Sequence, residues 1–250
     1  MSDDVTALLT GRLKTRAAAQ APLKVHGRIT RISGTVLHAR MPEGHIGEEV
    51  LLRHPVTRDT LGAEIIGYHG EEAVLAPAGS IVGLSNRAEV IGTGRQPMGP
   101  SGPAMIGRVV DAFGNPLDDG DVIPQDRPLD ADPPAPLARP VIDTPMATGV
   151  RAIDGLLTMG VGQRVGLFGA AGVGKSTLLS QIIRGANADA IVLGLIGERG
   201  REVAEFLERD LGVEGRKRAA VIVATSDRPA TERLRAAMTA TAAAEGFRDQ

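Results

Sequence analysis

The chain has 250 residues, 42% of them hydrophobic and 23% charged, with a formal charge of -2. These values suit one large or two small folded domains and exclude a disordered or fibrous chain. The near-neutral balance gives no basic field for nucleic acid, and the absence of cysteine excludes disulfides and thiolate chemistry. Arginine outnumbers lysine 24 to 4 and aromatics are only 2%, so the core must be aliphatic, and base-stacking platforms for single-stranded nucleic acid are excluded. No apolar run is long enough to span a bilayer, and MSDDVTALLTGRLK at the N-terminus is not a secretory signal.

In chain order, residues 3–20 are expected to form a helix. Asp3 or Asp4 can cap it, and Val5, Leu8, Leu9 and Leu13 fall near one face. It is either a frayed terminal helix or a docking helix, and residues 1–21 are assigned to it as a unit. From Lys24 to about Ile91 brief alternating runs (VHGRITRISG, TVLHARM, EEVLLR, LGAEIIGYHG, EEAVLAP, AEVIGTG) are broken by glycine, which predicts a small antiparallel β-barrel over residues 22–91. All five histidines (His26, His38, His45, His54, His69) lie here on strands and turns, and without cysteine a metal site is the lesser reading.

Residues 92–148 form a proline-rich connection. Asp111 to Asp132 carries seven aspartates against one basic residue, Arg127. It reads as an exposed, solvated loop in preference to a cation chelate. Residues 149–250 then alternate strand and helix, which predicts a parallel sheet covered by helices. Strands are expected at Gln163–Phe168, Ala190–Ile196 and Ala219–Thr225. Helices are expected from Ser176 to Arg184, from Glu202 to Asp210 and from Ala230 to Glu245. The fold class is therefore α/β, a P-loop parallel-sheet core preceded by the barrel.

Between the first of these strands and its helix lies GAAGVGKS, which fits the phosphate-loop pattern G-x-x-x-x-G-K-[ST]. Gly169, Gly172 and Gly174 allow the loop to close tightly, with Ala170, Ala171 and Val173 between them. The amides from Gly172 to Thr177 point inward at a helix N-terminus, where an anion is favoured. Lys175 supplies a cation for the β- and γ-phosphates, and the Ser176 hydroxyl is a ligand for Mg²⁺. After the next strand comes GERGREV. A carboxylate at the carboxyl end of such a strand projects into the ligand crevice, so Glu198 could polarise an attacking water and Arg199 could reach the γ-phosphate. Arg201 or Glu202 could hold neighbours or metal-bound waters, while a charged loop closed by its own salt bridges is the alternative reading. TSDRP (225–229) follows a third strand and reads best as a turn with a capping Asp227.

Taken together, the stretch beginning at Gly149 (GVRAIDGLLTMGVGQRVGLFGAAGVGKSTLL), LGLIGERGREVAEFLERDLG and VIVATSDRPATERLRAAMTATAAAEGFRDQ resemble the ATPases of bacterial type III secretion and flagellar export, relatives of the rotary ATP synthase catalytic subunit. GRVVDAFGNPLDD and RPVIDTPMATG extend the likeness upstream, so that it covers residues 22–250. IDGLLT and ERDLG read closer to the injectisome than to the flagellum. The resemblance implies ATP and Mg as ligands, phosphate binding by Gly169 to Thr177, Glu198 as catalytic carboxylate and Arg199 as phosphate sensor. It also implies a homohexameric ring at the cytoplasmic side of the inner membrane. The implied partners are a peripheral stalk protein, export chaperones and their substrates, and the membrane-embedded apparatus; nucleic acid is not among them.

Family members continue after a sequence like AAAEGFRDQ into an apolar strand ending in a Mg²⁺-coordinating aspartate, a trans-acting arginine and a helical C-terminal domain. The 250 residues contain none of these, so the resemblance implies that this chain alone binds nucleotide but is weak or inactive, with unpaired sheet edges and exposed apolar surface. A rotary ATP synthase subunit, a non-catalytic assembly or nucleotide-binding module and, more distantly, a small-molecule kinase are the other readings.

Overall fold

The structure, a computed structural model, describes residues 26–170 and 172–250. The helix expected over residues 3–20 lies outside the described residues.

Six strands close into a barrel: β1 (Gly27–Ser33), β2 (Val36–Arg40), β3 (Glu49–Arg53), β4 (Thr60–His69), β5 (Glu72–Pro77) and β6 (Glu89–Gly92), in the order β1-β2-β5-β4-β3-β6. Alternate residues point inward, so that Ile29, Leu37, Ala39, Val50, Leu52, Ile65, Leu75 and Val90 fill the interior, as the alternating runs predict. The histidines serve local structure: His54 Nδ1 accepts from the amides of Val56 and Thr57, His45 Nδ1 lies 3.0 Å from Glu48, and His38 contacts the Arg31 guanidinium.

The connection is more ordered than the sequence suggests. β7 (Met98–Pro100) pairs with β9 (Gln125–Pro128), and between them β8 (Val109–Asp111) joins the parallel sheet of the following domain. A three-residue strand, VVD between Arg108 and Ala112, carries too little periodicity to be seen in sequence. Nor is the aspartate-rich stretch uniformly solvated. Asp111 accepts from the amides of Phe113 and Asn115, and Asp126 accepts from the Ser101 hydroxyl. Asp118 accepts from Arg108 Nη2 at 2.8 Å, from Val109 N at 2.7 Å and from Gly120 N at 3.0 Å.

The Arg108 guanidinium, followed by the amides of Val109 and Gly120, holds the Asp118 carboxyl down at about 2, against 3.8 for the free group. A carboxyl lowered on folding stabilises the folded state above its unfolded value, and the contribution fades as pH falls through the folded value. Asp118→Asn is accordingly expected to cost about 1–2 kcal/mol at neutral pH. In urea titrations the gap from the parent chain should narrow between about pH 4 and pH 2. A gap independent of pH would exclude the ionised carboxylate as its source.

Beyond the connection, β10 (Pro145–Met146) pairs with β11 (Met159–Gly160) around a short helix α1 (Arg151–Leu156). The principal elements follow: α2 (Lys175–Gly185), β12 (Ile191–Ile196), α3 (Gly200–Glu205), a π-helical segment Phe206–Leu211, α4 (Gly212–Arg216), β13 (Ala219–Ala224) and α5 (Ala230–Arg248). The sheet order is β12-β13-β8, all parallel, with β13 central. β13 reads AAVIVA, buried at every position. Ala219, Val221 and Val223 face the cluster containing Ile183, Val203 and Phe206, whereas Ala220, Ile222 and Ala224 face the one containing Ala236 and Ala243. Both faces are thus covered, which is why the run shows no polar alternation. α5 approaches closely because Ala236, Thr239, Ala243 and Gly246 form a buried stripe of small residues at helical spacing.

Residues 163–168 depart from expectation. The segment is extended but forms no strand, and its side chains are exposed, Phe168 at 93%. A strand exists through a hydrogen-bonded neighbour, and among the described residues none lies alongside this segment. Val165, Leu167 and Phe168 are exposed apolar side chains there.

The C-terminal end of α2 is fixed by backbone contact. A Cβ on Gly185 would fall onto the carbonyl oxygen of Thr148 and stand 3.0 Å from Gly149 Cα. Thr148 is itself buried and anchored, since Asp154 accepts from its amide and hydroxyl. Gly185→Ala is therefore expected to destabilise by about 2–3 kcal/mol, read as a lower urea midpoint at unchanged slope. A midpoint equal to that of the parent chain would refute the packing.

Candidate functional site: a phosphate loop at the sheet edge

α2 begins at Lys175 directly after Gly174, whose φ of 89° places the helix N-cap in the left-handed region; Gly172 has φ 77°. An L side chain is strained at either position, and both glycines leave open space where a Cβ would stand. Lys175, Ser176 and Thr177 occupy the first turn, where the helix leaves its amide groups without internal partners. Lys175 Nζ donates to the Gly169 carbonyl at 2.5 Å, so the side chain folds back over the mouth of the loop. Ala170 and Val173 are exposed on its rim, and Ala171 lies outside the described residues.

The orientation of α2 follows from its other end. Arg218, just before β13, donates to the carbonyls of Ala186 and Ala188, just after α2. The C-terminus of α2 thus lies at the amino end of the strands, and the helix packs on them through Ile183. Eleven helical residues rise about 16 Å and six strand residues about 20 Å, so a helix running back along the strands from that end is long enough to carry its first turn toward their carboxyl edge.

At that edge β12 ends in Gly197 and Glu198, and the strand-end loop of β13 is tied to it: Gly197 N donates to Ala224 O at 2.7 Å and Ser226 N to Glu198 O at 2.9 Å. Glu198 is exposed, while Arg199 donates to Glu202 Oε1 at 3.0 Å. The Arg199 hydrogen bond lowers the Glu202 carboxyl below its ordinary value. Part of GERGREV is therefore closed by its own ion pair, with the Glu198 carboxylate at the strand end. Asp227 is held low by the Thr225 hydroxyl within the 225–229 turn, but it does not cap α5, whose N-cap is Pro229 with no side-chain hydrogen bond.

The structure places the glycine loop at the start of α2 and Glu198 just beyond the end of β12, on different elements. It pairs Arg199 with Glu202. Among the described residues no group of three or more His, Asp or Glu is arranged to hold a metal ion. Sequence reading passed over the Arg218 tie, because one arginine beside a strand has no spacing to mark it.

A phosphate loop on a parallel sheet behind a closed six-stranded barrel defines a two-domain nucleotide-binding protein. The beta-barrel domain of the ATP synthase alpha/beta family matches residues 29–94, and its nucleotide-binding domain matches residues 149–250. The chain belongs to the ATP synthase alpha/beta family.

Among its relatives, a type 3 secretion system ATPase of Sinorhizobium fredii is 53% identical, over 90% of this chain and 51% of the relative. The flagellum-specific ATP synthase of Bacillus subtilis is 44% identical, over 91% of this chain and 52% of the relative. Among solved structures, the assembled ATPase EscN of the enteropathogenic E. coli type III secretion system superposes with a TM-score of 0.79 at 46% identity, covering 90% of this chain and 54% of that one. The chain spans about half the length of the curated relatives it matches.

Proposed function

We propose that residues 169–177 bind the phosphates of Mg-ATP and that the protein is an ATPase of bacterial protein export. The observation that carries this reading is that α2 starts at Lys175 directly after the left-handed Gly174, with the Lys175 ammonium folded back onto the Gly169 carbonyl. Gly169, Ala170, Ala171, Gly172, Val173, Gly174 and Thr177 supply backbone amides to the phosphates, Lys175 adds a mobile cation, and the Ser176 hydroxyl holds Mg²⁺. The metal, held otherwise by the phosphates, supplies charge neutralisation. Glu198 aligns a water for in-line attack: the oxygen–phosphorus bond to water forms as the β–γ bridge breaks, ADP leaves, and the water's proton passes to the carboxylate. Arg199, released from Glu202, senses the terminal phosphate.

The same proposal places the intact protein in a homohexameric ring on the cytoplasmic side of the inner membrane, where it releases chaperones from export substrates and unfolds them. The relatives' names and two solved assemblies, EscN alone and EscN with its central stalk EscO, support it. So does the fact that no helix among the described residues is long and apolar enough to cross a membrane. The peripheral stalk protein and the membrane apparatus are its proposed contacts. The proposed units are a terminal helix (1–21), a ring-forming barrel (22–91), a connection (92–148) and a nucleotide domain (149–250).

The test measures Mg-ATP binding and phosphate release side by side on the 250-residue chain. Binding that depends on Lys175 supports the phosphate loop. Release in addition supports hydrolysis by the chain alone, whereas binding without release favours a nucleotide-binding assembly module. Absence of binding sinks the proposal.

A further inference from the structure

Two side-chain nitrogens among the described residues are buried without a hydrogen-bond partner, Nε of Arg233 and Nε of Arg235. Both lie near the start of α5. The charge of Arg235 is compensated: Glu49 Oε1 stands 3.8 Å away, the Met98 carbonyl accepts from Nη2 at 3.5 Å, and the guanidinium lies 5.0 Å from the centre of the Phe113 ring. Arg233 has no ion-pair partner among the described residues. The carboxylate next to it in sequence, Glu232, pairs with Arg228 at 3.7 Å instead. Arg233 is only half-buried, but its Nε–H is a donor that a guanidinium cannot shed, and burying it without an acceptor is costly. A cation kept at that cost calls for an anion that meets it in another state of the protein.

The position of Arg233 says which anion. A Cβ on Gly197 would stand 4.0 Å from Arg233 Nη1, so the guanidinium lies against the turn that leads from β12 into Glu198. α5 covers the face of the sheet opposite α2, the two helices packing on separate apolar clusters. Arg233 therefore reaches the carboxyl end of β12 from the face that α5 covers, against the turn into Glu198.

We propose that Arg233 is a positioning residue for Glu198, its guanidinium donating to the carboxylate and bracing the turn when Mg-ATP is bound. This rests on the reading of Glu198 above. A carboxylate held by a guanidinium stays ionised and accepts hydrogen bonds only, the state needed to align a water, and the planar fork fixes its direction. Lysine, a point charge on a flexible stem, replaces the charge but not the fork.

The test is amide hydrogen exchange on the 250-residue chain with and without Mg-ATP, following peptides over residues 195–202 and 172–180 in the parent chain, Arg233→Gln and Arg233→Lys. In the parent chain Mg-ATP is expected to slow exchange in both peptides. Arg233→Gln should remove most of the slowing over 195–202, by about tenfold, while leaving 172–180 unchanged. Arg233→Lys should restore part of it. Unchanged protection of both peptides in Arg233→Gln overturns the proposal. So does equal loss from both, or no recovery with lysine, since either marks a general structural defect. No protection of 172–180 in the parent chain would overturn the phosphate-loop reading itself, and Arg233 with it. Protection there without any over 195–202 overturns the role of Arg233 alone.

Discussion

Lys175→Ala is expected to weaken Mg-ATP binding by about 10- to 100-fold, the loss of one or two charge-assisted hydrogen bonds worth about 1.5–3 kcal/mol. The side chain leaves the first turn of α2 and folds over the loop to the Gly169 carbonyl, so its ammonium already stands at the loop mouth. Swinging it onto phosphate exchanges one neutral acceptor for a charged one. The amides of the first turn remain in the variant, so weak residual binding is expected, and the fold should be preserved because Lys175 is exposed. Titration with a fluorescent ATP analogue in Mg²⁺ measures the change. An affinity equal to that of the parent chain would remove Lys175 from the site.

Glu198→Gln is expected to lower phosphate release by about 10²- to 10⁴-fold while nucleotide affinity changes by less than about threefold. The amide keeps the shape and one acceptor of the carboxylate but cannot take a proton. Glu198 is exposed, and its backbone carbonyl, not its side chain, holds the 225–229 turn through Ser226. The substitution therefore leaves the strand-end architecture intact, and a loss confined to turnover isolates the chemical role. Measurement at saturating Mg-ATP separates the two effects, and turnover equal to that of the unsubstituted protein would show that another group activates the water.

A second carboxylate in GERGREV sharpens this expectation. Glu202 is held by Arg199 and kept ionised by it, so it is a structural partner and a poor proton acceptor. Loss of Glu198 is thus not expected to be covered by Glu202, although the two lie on one loop.

The barrel was legible because alternation with glycine breaks is a local signal, repeated six times. The loop at residues 169–176 stands out in the sequence because glycine, lysine and serine at fixed spacing answer a single chemical need. β13 and α5 were legible through a wholly apolar run and a long helical stretch. β8 was not, for three residues carry no period and its membership of the sheet depends on β13 lying beside it. Residues 163–168 show the converse: the pattern of a strand was present, but a strand is a property of two segments.

By itself the sequence determined the residue chemistry of this protein: an aliphatic core, a barrel pattern, a loop able to cradle phosphates, and a carboxylate at a strand end. Only the tertiary structure decided which of these meet. It tied the C-terminal end of α2 to the start of β13 through Arg218. It turned Arg199 toward Glu202, and it brought Arg233 against Gly197 from the opposite face. Spacing along a chain encodes contacts within one helix or turn, where geometry is fixed by the backbone. Contacts between elements depend on how whole faces pack, and no local pattern carries that information.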